Sequence, residues 1–394
     1  MFKINKSTKN TSIIMMLIGV VATIFGFISN PNAAWASLLF NNYFFFGIAV
    51  FAIFFISLQY VAEAGWSTVV KRVPEAMMSF LPYGGIIMLC ILITAALHFG
   101  GNHVYHWMAE GIMDPNDDHY DKIIAGKEAY LNTPFFLIRS IVTIAVWIYF
   151  AKKLRDLSLE GDLEGGLGDK AFNKGVRVSA FFIIFFAITI NTVAWDWIMS
   201  IDTHWFSTLF GWYIFSEWAA IGFTTIVLLT LYLKSQGHLE SVNDSHIHDL
   251  GKFVFAFSLV WSYLWFSQFM LIWYSNIPEE VTYFMERIDD YGFLFWGSLV
   301  INLVLPLVLL MSRDAKRDNK RLVFVCIMIL IGHWINAFLL VIPGSEDGNI
   351  GLTEIGMGIG FLGLFLYVVL RSLTKRPLDI KHHPYLDESK HLNT

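Results

Sequence analysis

The residues of this sequence best suited to chemistry are a few ionisable side chains inside long apolar runs. Glu217 and His333 lie near the middle of two such runs, and Asp196 lies toward one end of a third. A charge near the centre of a bilayer costs on the order of 2.5–3.5 kcal/mol, so ionisable groups at that depth are usually paired or functional. Carboxyl and imidazole groups can pass protons, and the sequence therefore predicts proton transfer. The alternative is that Glu217 and His333 are hydrogen-bonded links between helices.

A polar stripe surrounds Asp196. Its members share one helical face and are Thr192, Asp196, Ser200 and Thr203. The stripe could hold a file of water that leads from the outer surface toward Glu217, or it could be a hydrated helix end. Trp195 and Trp197 flank it as candidate anchors at the membrane interface.

The segment His248–Glu280 reads HDLGKFVFAFSLVWSYLWFSQFMLIWYSNIPEE and is apolar enough to cross a bilayer. It nevertheless carries Gln268 and several hydroxyl groups. One helical face collects Tyr263, Ser267, Met270 and Tyr274. Because hydroxyl groups cost free energy in hydrocarbon, we expect this face to look into protein or water rather than lipid.

Three residues could converge near one membrane surface, namely His98, Arg139 and Trp107. Arg139 either extends to the headgroups or pairs with a carboxylate or a quinone-type carbonyl. A haem held by two histidines is disfavoured, because His98 lies at the end of its apolar run and His333 in the middle of another. Glu63 lies near the opposite surface, where it is interfacial or collects protons.

Ten apolar segments must position these side chains. The chain has 394 residues, of which 56% are hydrophobic and 15% charged, whereas soluble domains carry about 25% charged residues. The sequence therefore predicts an all-α integral membrane protein with ten transmembrane helices. The segments lie near residues 12–29, 38–62, 79–98, 134–152, 176–201, 206–233, 250–275, 291–312, 321–342 and 353–372. Asn302 and Pro306 predict a kink in the eighth.

Basic residues predict the orientation of the chain. Most of the 27 Lys and Arg residues lie in the loops on one side, and the other side holds only Lys122, Lys127 and Arg287. The positive-inside rule then places both termini in the cytoplasm. The first segment has the charged start of a signal peptide, but its cleavage would leave an odd number of spans, so we favour an uncleaved anchor.

The connecting segments carry further expectations. Loop 99–133, rich in acidic and aromatic residues, is expected to pack on a partner or along the membrane interface. The segment before the third span is expected to form an interfacial helix with Lys71 and Arg72 toward the headgroups. We expect connector 153–175 to be flexible, and the tail from Lys375 to extend over a neighbouring protein or to be partly disordered.

The chain offers no visible electron carrier of its own. Cys90 and Cys326 lie in separate apolar segments, which excludes a disulfide framework and disfavours a metal or iron–sulfur site, and both are expected to be buried thiols. The sequence contains no CxxCH haem-attachment motif, no P-loop and no Rossmann fingerprint.

Two segments resemble a known family. His248–Glu280 and the run GWSTVVKRVPEAM, Gly65–Met77, are similar to the second quinone-binding membrane subunit of bacterial alternative complex III, within the wider NrfD/PsrC-like family. The resemblance implies one transmembrane domain over residues 1–394. It implies a first four-helix bundle of spans two to five (about 38–152 plus 176–201), a second of spans six to nine (about 206–342), and peripheral spans 12–29 and 353–372.

The resemblance also implies a function. The expected protein is a subunit, not catalytic alone, of a respiratory quinol:cytochrome c (or other electron acceptor) oxidoreductase in the bacterial cytoplasmic membrane. Expected partners are lipids, a homologous quinol-binding membrane subunit, and iron–sulfur and multihaem cytochrome c subunits, with no nucleic acid. A purely structural scaffold and, less favoured, a secondary transporter are the alternatives.

Two groups of residues follow from the resemblance. Menaquinone or ubiquinone would bind near His98, Arg139 and Trp107, although the family has an acid where the fourth span has Arg139. The proton pathway would include Asp196, Glu217, Tyr263, Ser267, Gln268, His333 and Glu63.

Overall fold

The computed structural model describes residues 2–163, 168–345 and 348–393. The regular elements in these ranges are all helical, and ten helices are long and apolar enough to cross a membrane, as predicted. They are α1 (Lys6–Ser29), α2 (Pro31–Val61), α3 (Thr68–Ala96), α4 (Thr133–Gly161), α5 (Asp169–Ile201), α6 (Phe210–Ser235), α7 (Asp244–Ser275), α8 (Gly292–Leu309), α9 (Asn319–Ser345) and α10 (Leu352–Thr374). Shorter helices cover Lys122–Ala125, Pro278–Asp289, Arg313–Arg317 and Leu386–Lys390. Residues 164–167 of the connector expected to be flexible lie outside the described residues.

Helix α2 runs through the middle of the molecule. Asn30 caps its start by accepting a hydrogen bond from the Ala33 amide at 3.2 Å, and Pro31 occupies the first helical position. Most of its side chains are buried, because it contacts α3, α5, α6, α9 and α10. Polar groups on α2 must therefore find their partners on other helices rather than in water.

The other helices pack in neighbouring groups around α2. Helix α4 contacts α3 and α5, while α6 contacts α7 and α9, and α8 packs on α9 and α7. Two helices contain a π-helical turn, α5 at Ala194–Ile198 and α8 at Val300–Val304. The turn in α8 contains Asn302 and precedes Pro306, where the sequence predicts a kink.

Helix α1 lies at the periphery and packs on α10 along a seam of glycines. A Cβ atom on Gly19 would overlap the Cα of Gly360, and one on Gly363 would lie 2.7 Å from the Ser12 carbonyl oxygen. Small residues allow such close approach of helices in membranes, where packing rather than the hydrophobic effect drives association. The glycines therefore determine where α1 lies.

One end of the molecule gathers both terminal segments. The Phe2 ring contacts the His238 ring at 5.4 Å, and the Asn243 side chain donates to the Leu392 carbonyl at 2.8 Å. The Ser389 hydroxyl donates to the Trp66 carbonyl at 2.8 Å. The expectation that the tail extends over a neighbouring protein or is disordered was thus wrong for residues up to 393, because the tail packs on its own chain.

Two other expectations were wrong, the anchor role of Trp197 and the burial of Cys90. Loop 99–133 buries Tyr105 and Trp107 among the helices of its own chain but leaves His103, His106, His119 and Tyr120 exposed, so its packing on a partner or along the interface stays a prediction. Trp197 is fully buried and donates to the Ser140 hydroxyl at 2.9 Å, so it is no interface anchor. Cys90 is exposed on the outside of α3, whereas Cys326 is buried as predicted.

The glycine seam predicts that Gly360→Ala separates α1 from α10. Overlap with backbone is not relieved by a side-chain rotation, so we expect a destabilisation of about 1–3 kcal/mol, measured by unfolding of the purified protein in detergent. Gly297→Ala is the matched control, because a Cβ at that position in α8 meets nothing within 4 Å. Equal effects of the two substitutions would contradict the assigned seam.

Candidate functional site

A polar cluster surrounds Glu217 in the centre of the helices. Glu217 on α6 is fully buried. Its carboxyl group accepts hydrogen bonds from the Tyr43 hydroxyl on α2 at 2.7 Å and from the Asn336 amide on α9 at 2.9 Å. The Tyr213 hydroxyl donates to Asn336 at 2.8 Å. This Glu217 cluster, Tyr43, Tyr213, Glu217, His333 and Asn336, joins three helices through a single carboxyl group.

His333 is the member of the cluster whose polar atoms lack hydrogen-bond partners among the described residues. Its Nδ1 lies 3.7 Å from a Glu217 oxygen, and both side chains have no exposed surface. The Trp261 ring meets the imidazole edge-on at 4.9 Å. Among the described residues neither ring nitrogen has a hydrogen-bond partner, whereas buried polar atoms normally have one. The interpretation of His333 as a hydrogen-bonded structural residue is therefore the poorer one.

Asn302 on α8 adds a polar side chain beside the Glu217 cluster. It is fully buried, and both of its side-chain polar atoms have no partner among the described residues. A Cβ on Gly332 would overlap its side-chain oxygen, which places it beside the residue that precedes His333. The π-helical turn of α8 directs this amide into the protein, and such turns recur at functional sites.

A small cavity continues from the cluster toward Gln268. It has about 20 Å³ of space and is lined in part by Tyr213, Asn336, Gln268 and Arg287. A cavity of roughly 10–15 Å³ or more can hold a water molecule. Gln268 in turn accepts a hydrogen bond at 3.5 Å from the hydroxyl of Ser207, in the partly exposed loop before α6. Gln268 thus lies between the Glu217 cluster and one surface of the molecule.

Arg287 is a buried cation that the sequence did not single out. On helix Pro278–Asp289, it donates to the carbonyls of Leu339 at 2.9 Å and Tyr283 at 2.7 Å. The guanidinium lies 3.4 Å from the centroid of the Tyr283 ring, and burial raises the pKa of the Tyr283 phenol. An Arg in a surface loop resembles any solvated charge, so only the fold reveals this one.

A second buried carboxyl group, that of Asp196, is paired with Arg139. Asp196 accepts two hydrogen bonds from the guanidinium, at 2.7 and 3.0 Å. Arg139 also donates to the Tyr130 carbonyl at 3.0 Å and lies 4.1 Å from the centroid of the Tyr130 ring. Burial, together with the Asp196 charge, raises the pKa of the Tyr130 phenol. Of the two predicted roles of Arg139, pairing with a carboxylate is confirmed.

The polar stripe beside Asp196 is satisfied by its own helix. Thr192, Ser200 and Thr203 each donate to a backbone carbonyl three or four residues earlier. No hydrogen bond among the described residues joins Asp196 to the Glu217 cluster. An aromatic layer lies between them, formed by Phe46, Trp147, Trp197 and Trp218 with ring centroids 6.0–6.3 Å apart in successive contacts. The water file toward Glu217 stays a prediction.

His98 and Trp107 do not join Arg139. His98 is partly exposed, with a positive φ of 48°, and its ring lies 6.0 Å from that of His103. Trp107 is buried against Phe136 at 5.4 Å. In the described ranges no hydrogen bond or ion pair connects either residue to Arg139, so the structure shows no single pocket built from the three.

The predicted polar face of α7 is exposed on the outside of this chain and does not face its other helices, and its expected contact with protein or water rather than lipid stays a prediction. Tyr263 is 68% exposed and Tyr274 is 83% exposed, with Ser267 and Met270 beside them. The buried face instead carries Trp261, Trp265, Gln268 and Ile272. Large indoles gain more from burial than phenol hydroxyls do, which decides how α7 is rotated. Gln268 is thus retained near the site, and Tyr263 and Ser267 are not.

A second ionic site lies at the end that gathers the termini. Arg72 donates to Glu75 at 2.6 Å and to Ser158 at 3.1 Å, and it also pairs with Asp162. Lys71 donates to the Tyr60 hydroxyl at 2.6 Å. Lys71 and Arg72 are only 7% and 5% exposed. The expected interfacial helix was therefore wrong here, because carboxylates within the protein replace the lipid headgroups.

The tail closes over this ionic site. Asp162 accepts from the amides of Lys381 and His382 at 3.2 and 3.4 Å, and Glu63, which is exposed, accepts from the Tyr385 hydroxyl at 3.0 Å. Burial, together with Lys71 and Arg72, lowers the pKa of His383 to about 3. His383 is therefore neutral at pH 7.

Comparison with known proteins adds no family assignment. A scan of the chain against protein-family models gives no match, and a search of curated proteins gives no significantly similar sequence.

The Arg139–Asp196 pair predicts a large effect of Arg139→Ala. The substitution leaves a buried carboxylate without its cation, which we expect to cost about 3–5 kcal/mol in unfolding free energy, and Arg139→Met combined with Asp196→Leu should restore most of it. Arg321→Ala is the control, since its pair with Asp318 is exposed and worth less than about 1 kcal/mol. A loss at Arg139 no larger than the control loss would refute the role of the pair.

The neutral His383 predicts that acid releases the tail. Its pKa is lower in the docked tail than the ordinary value of 6.5, so the released tail binds the proton more readily. Stabilisation by the docked tail is complete above pH 6.5 and is lost as the pH falls toward 3. Over this range the equilibrium constant for docking falls by up to about tenfold per pH unit.

Limited proteolysis between pH 7.5 and 5, corrected for protease activity at each pH, measures this release. His383→Gln should flatten the dependence on pH, and the exposed neighbour His382→Gln should leave it unchanged. The same acid sensitivity in wild type and His383→Gln would exclude His383 as its cause.

Proposed function

We propose that the protein is a proton-conducting membrane subunit of a quinol:cytochrome c (or other electron acceptor) oxidoreductase, similar to the ActF subunit of alternative complex III in the NrfD/PsrC-like family. The observation that carries the proposal is the fully buried Glu217. Two hydrogen-bond donors hold its carboxyl group, and an imidazole without hydrogen-bond partners lies 3.7 Å away. A scaffold needs no such unsatisfied group at the centre of its helices.

The arrangement of helices agrees with this proposal. The mutual contacts of α2 to α5, and those of α6 to α9, are the contacts that two four-helix bundles require, with α1 and α10 outside them. The end that gathers both termini is assigned to the cytoplasm of a bacterium, because the basic loops lie there.

Proton transfer would proceed through groups that are already close. Glu217 and His333 can exchange a proton at 3.7 Å with a small movement of either side chain. On the outer side, Tyr213 and Asn336 lead to the cavity that Gln268 lines. This route uses Gln268 rather than Asp196, because Arg139 holds Asp196 as a paired carboxylate.

Quinol oxidation is assigned to a partner rather than to this chain. A bound quinol would supply two electrons and two protons. Here Arg139 is already bonded to Asp196, Trp107 is buried, and the partly accessible His98 has no contact with either among the described residues, so the residues present do not fit a quinone ring together. The homologous membrane subunit would hold the quinol, and iron–sulfur and multihaem subunits would accept the electrons.

Replacing Glu217 by Gln in the assembled complex tests the proton role. Gln keeps the shape and can still accept a hydrogen bond through its one amide oxygen, as Glu217 does from Tyr43, but it carries no exchangeable acid proton. In vesicles with quinol and an electron acceptor, we expect proton translocation monitored by a pH-sensitive dye to fall by roughly tenfold or more, with the complex still assembled.

Glu354→Gln is the matched control, because this carboxylate also accepts from a hydroxyl, Ser37 at 3.1 Å, but lies at the start of α10. The control should translocate protons normally. Normal translocation by Glu217→Gln would support the scaffold alternative and refute the proton role, and counterflow of a solute by the isolated chain would favour a transporter.

A further inference from the structure

A cleft lies between α1, α3, α4 and α10, at the end of the molecule that the proposed function assigns to the cytoplasm. It has a volume of about 640 Å³. Its walls are mostly apolar and include Met16, Leu81, Ile148 and Leu364. The sixteen residues that line it also include four cations and no carboxylate. A site with this composition attracts a ligand that is anionic at one end and apolar at the other.

The four cations are Lys152 and Arg155 on α4, Arg371 on α10 and Lys375 directly after it. Arg155 is partly buried and lies 3.5 Å from the Ser372 carbonyl. Lys152, Arg371 and Lys375 are exposed, and among the described residues none of them forms an ion pair. The neighbouring Arg72 differs, because Glu75 and Asp162 neutralise it. The cleft thus holds positive charge that the protein itself does not balance.

Ser372 and two tyrosines add hydroxyl groups to the residues around the cleft. Ser372 is only 5% exposed, yet its hydroxyl has no hydrogen-bond partner among the described residues. A buried hydroxyl without a partner costs free energy. Tyr83 and Tyr367 also line the cleft, and tyrosines are typical of the depth at which lipid headgroups meet acyl chains.

We infer that this cleft binds one anionic phospholipid of the cytoplasmic leaflet. The phosphate lies among Arg155, Arg371 and Lys375, and the acyl chains follow the apolar wall. Basic pockets between transmembrane helices on this side of a membrane suit such headgroups. A neutral quinone ring would leave the cations unbalanced, and inorganic phosphate would leave the apolar wall empty. The lipid joins the peripheral α1 and α10 to α3 and α4.

Native mass spectrometry of the full-length protein in detergent, titrated with cardiolipin, phosphatidylglycerol or phosphatidylcholine, tests this inference. We expect one tight site for an anionic lipid. The triple variant Lys152→Gln/Arg371→Gln/Lys375→Gln should weaken it roughly a hundredfold, since each cation contributes about fivefold, or about 1 kcal/mol. The three side chains are exposed, so the variant should fold, which thermal unfolding verifies.

The control variant Lys170→Gln/Lys174→Gln/Lys320→Gln removes the same charge from exposed positions on the same side, away from the cleft. It should bind the anionic lipid as the wild type does. Three results would overturn the inference: equal losses in both variants, equal affinity for phosphatidylcholine, or complete displacement of the lipid by millimolar inorganic phosphate. None of these outcomes depends on proton conduction.

Discussion

Most of the interior depends on how one carboxyl group is satisfied far from water. Glu217 on α6 accepts from Tyr43 on α2 and from Asn336 on α9, so its two oxygens tie α6 to α2 and to α9. A polar group at this depth cannot form hydrogen bonds with solvent. Each of these hydrogen bonds is therefore needed to offset the cost of burying the carboxyl group. Helices α2 and α6 also pack closely, since Gly47 and Gly222 leave no space for a Cβ atom between them.

Charge is distributed by depth in a regular way. Full ion pairs lie toward the ends, with Arg139 and Asp196 on one side and Arg72 with Glu75 and Asp162 on the other. The centre instead holds a carboxyl, an imidazole, phenols and amides. Ion pairs are tolerated where residual hydration and several donors are available, whereas a group that must change protonation state needs neighbours that tolerate both states.

The number and approximate limits of the spans could be predicted because apolar length is a local property of the sequence. The pairing of Arg139 with a carboxylate could be stated as one of two alternatives, because a buried guanidinium needs an anion. The burial of Lys71 and Arg72 could not be predicted, because Asp162 comes from a distant segment of the chain. Tyr43 was missed because a tyrosine within NNYFFF resembles any core aromatic. The rotation of α7 depended on which of its indole side chains could be buried, and the periodicity of the sequence alone does not specify that.

The aromatic layer of Phe46, Trp147, Trp197 and Trp218 has an electrical consequence. It separates two polar regions with rings that hold no mobile charge and leave little room for water. In an energised membrane the electrical potential falls most steeply across the region that holds the least water. Moving one charge through 100 mV takes about 2.3 kcal/mol. In such a membrane a dry layer of this kind would resist the passage of a charge between the Asp196 pair and the Glu217 cluster.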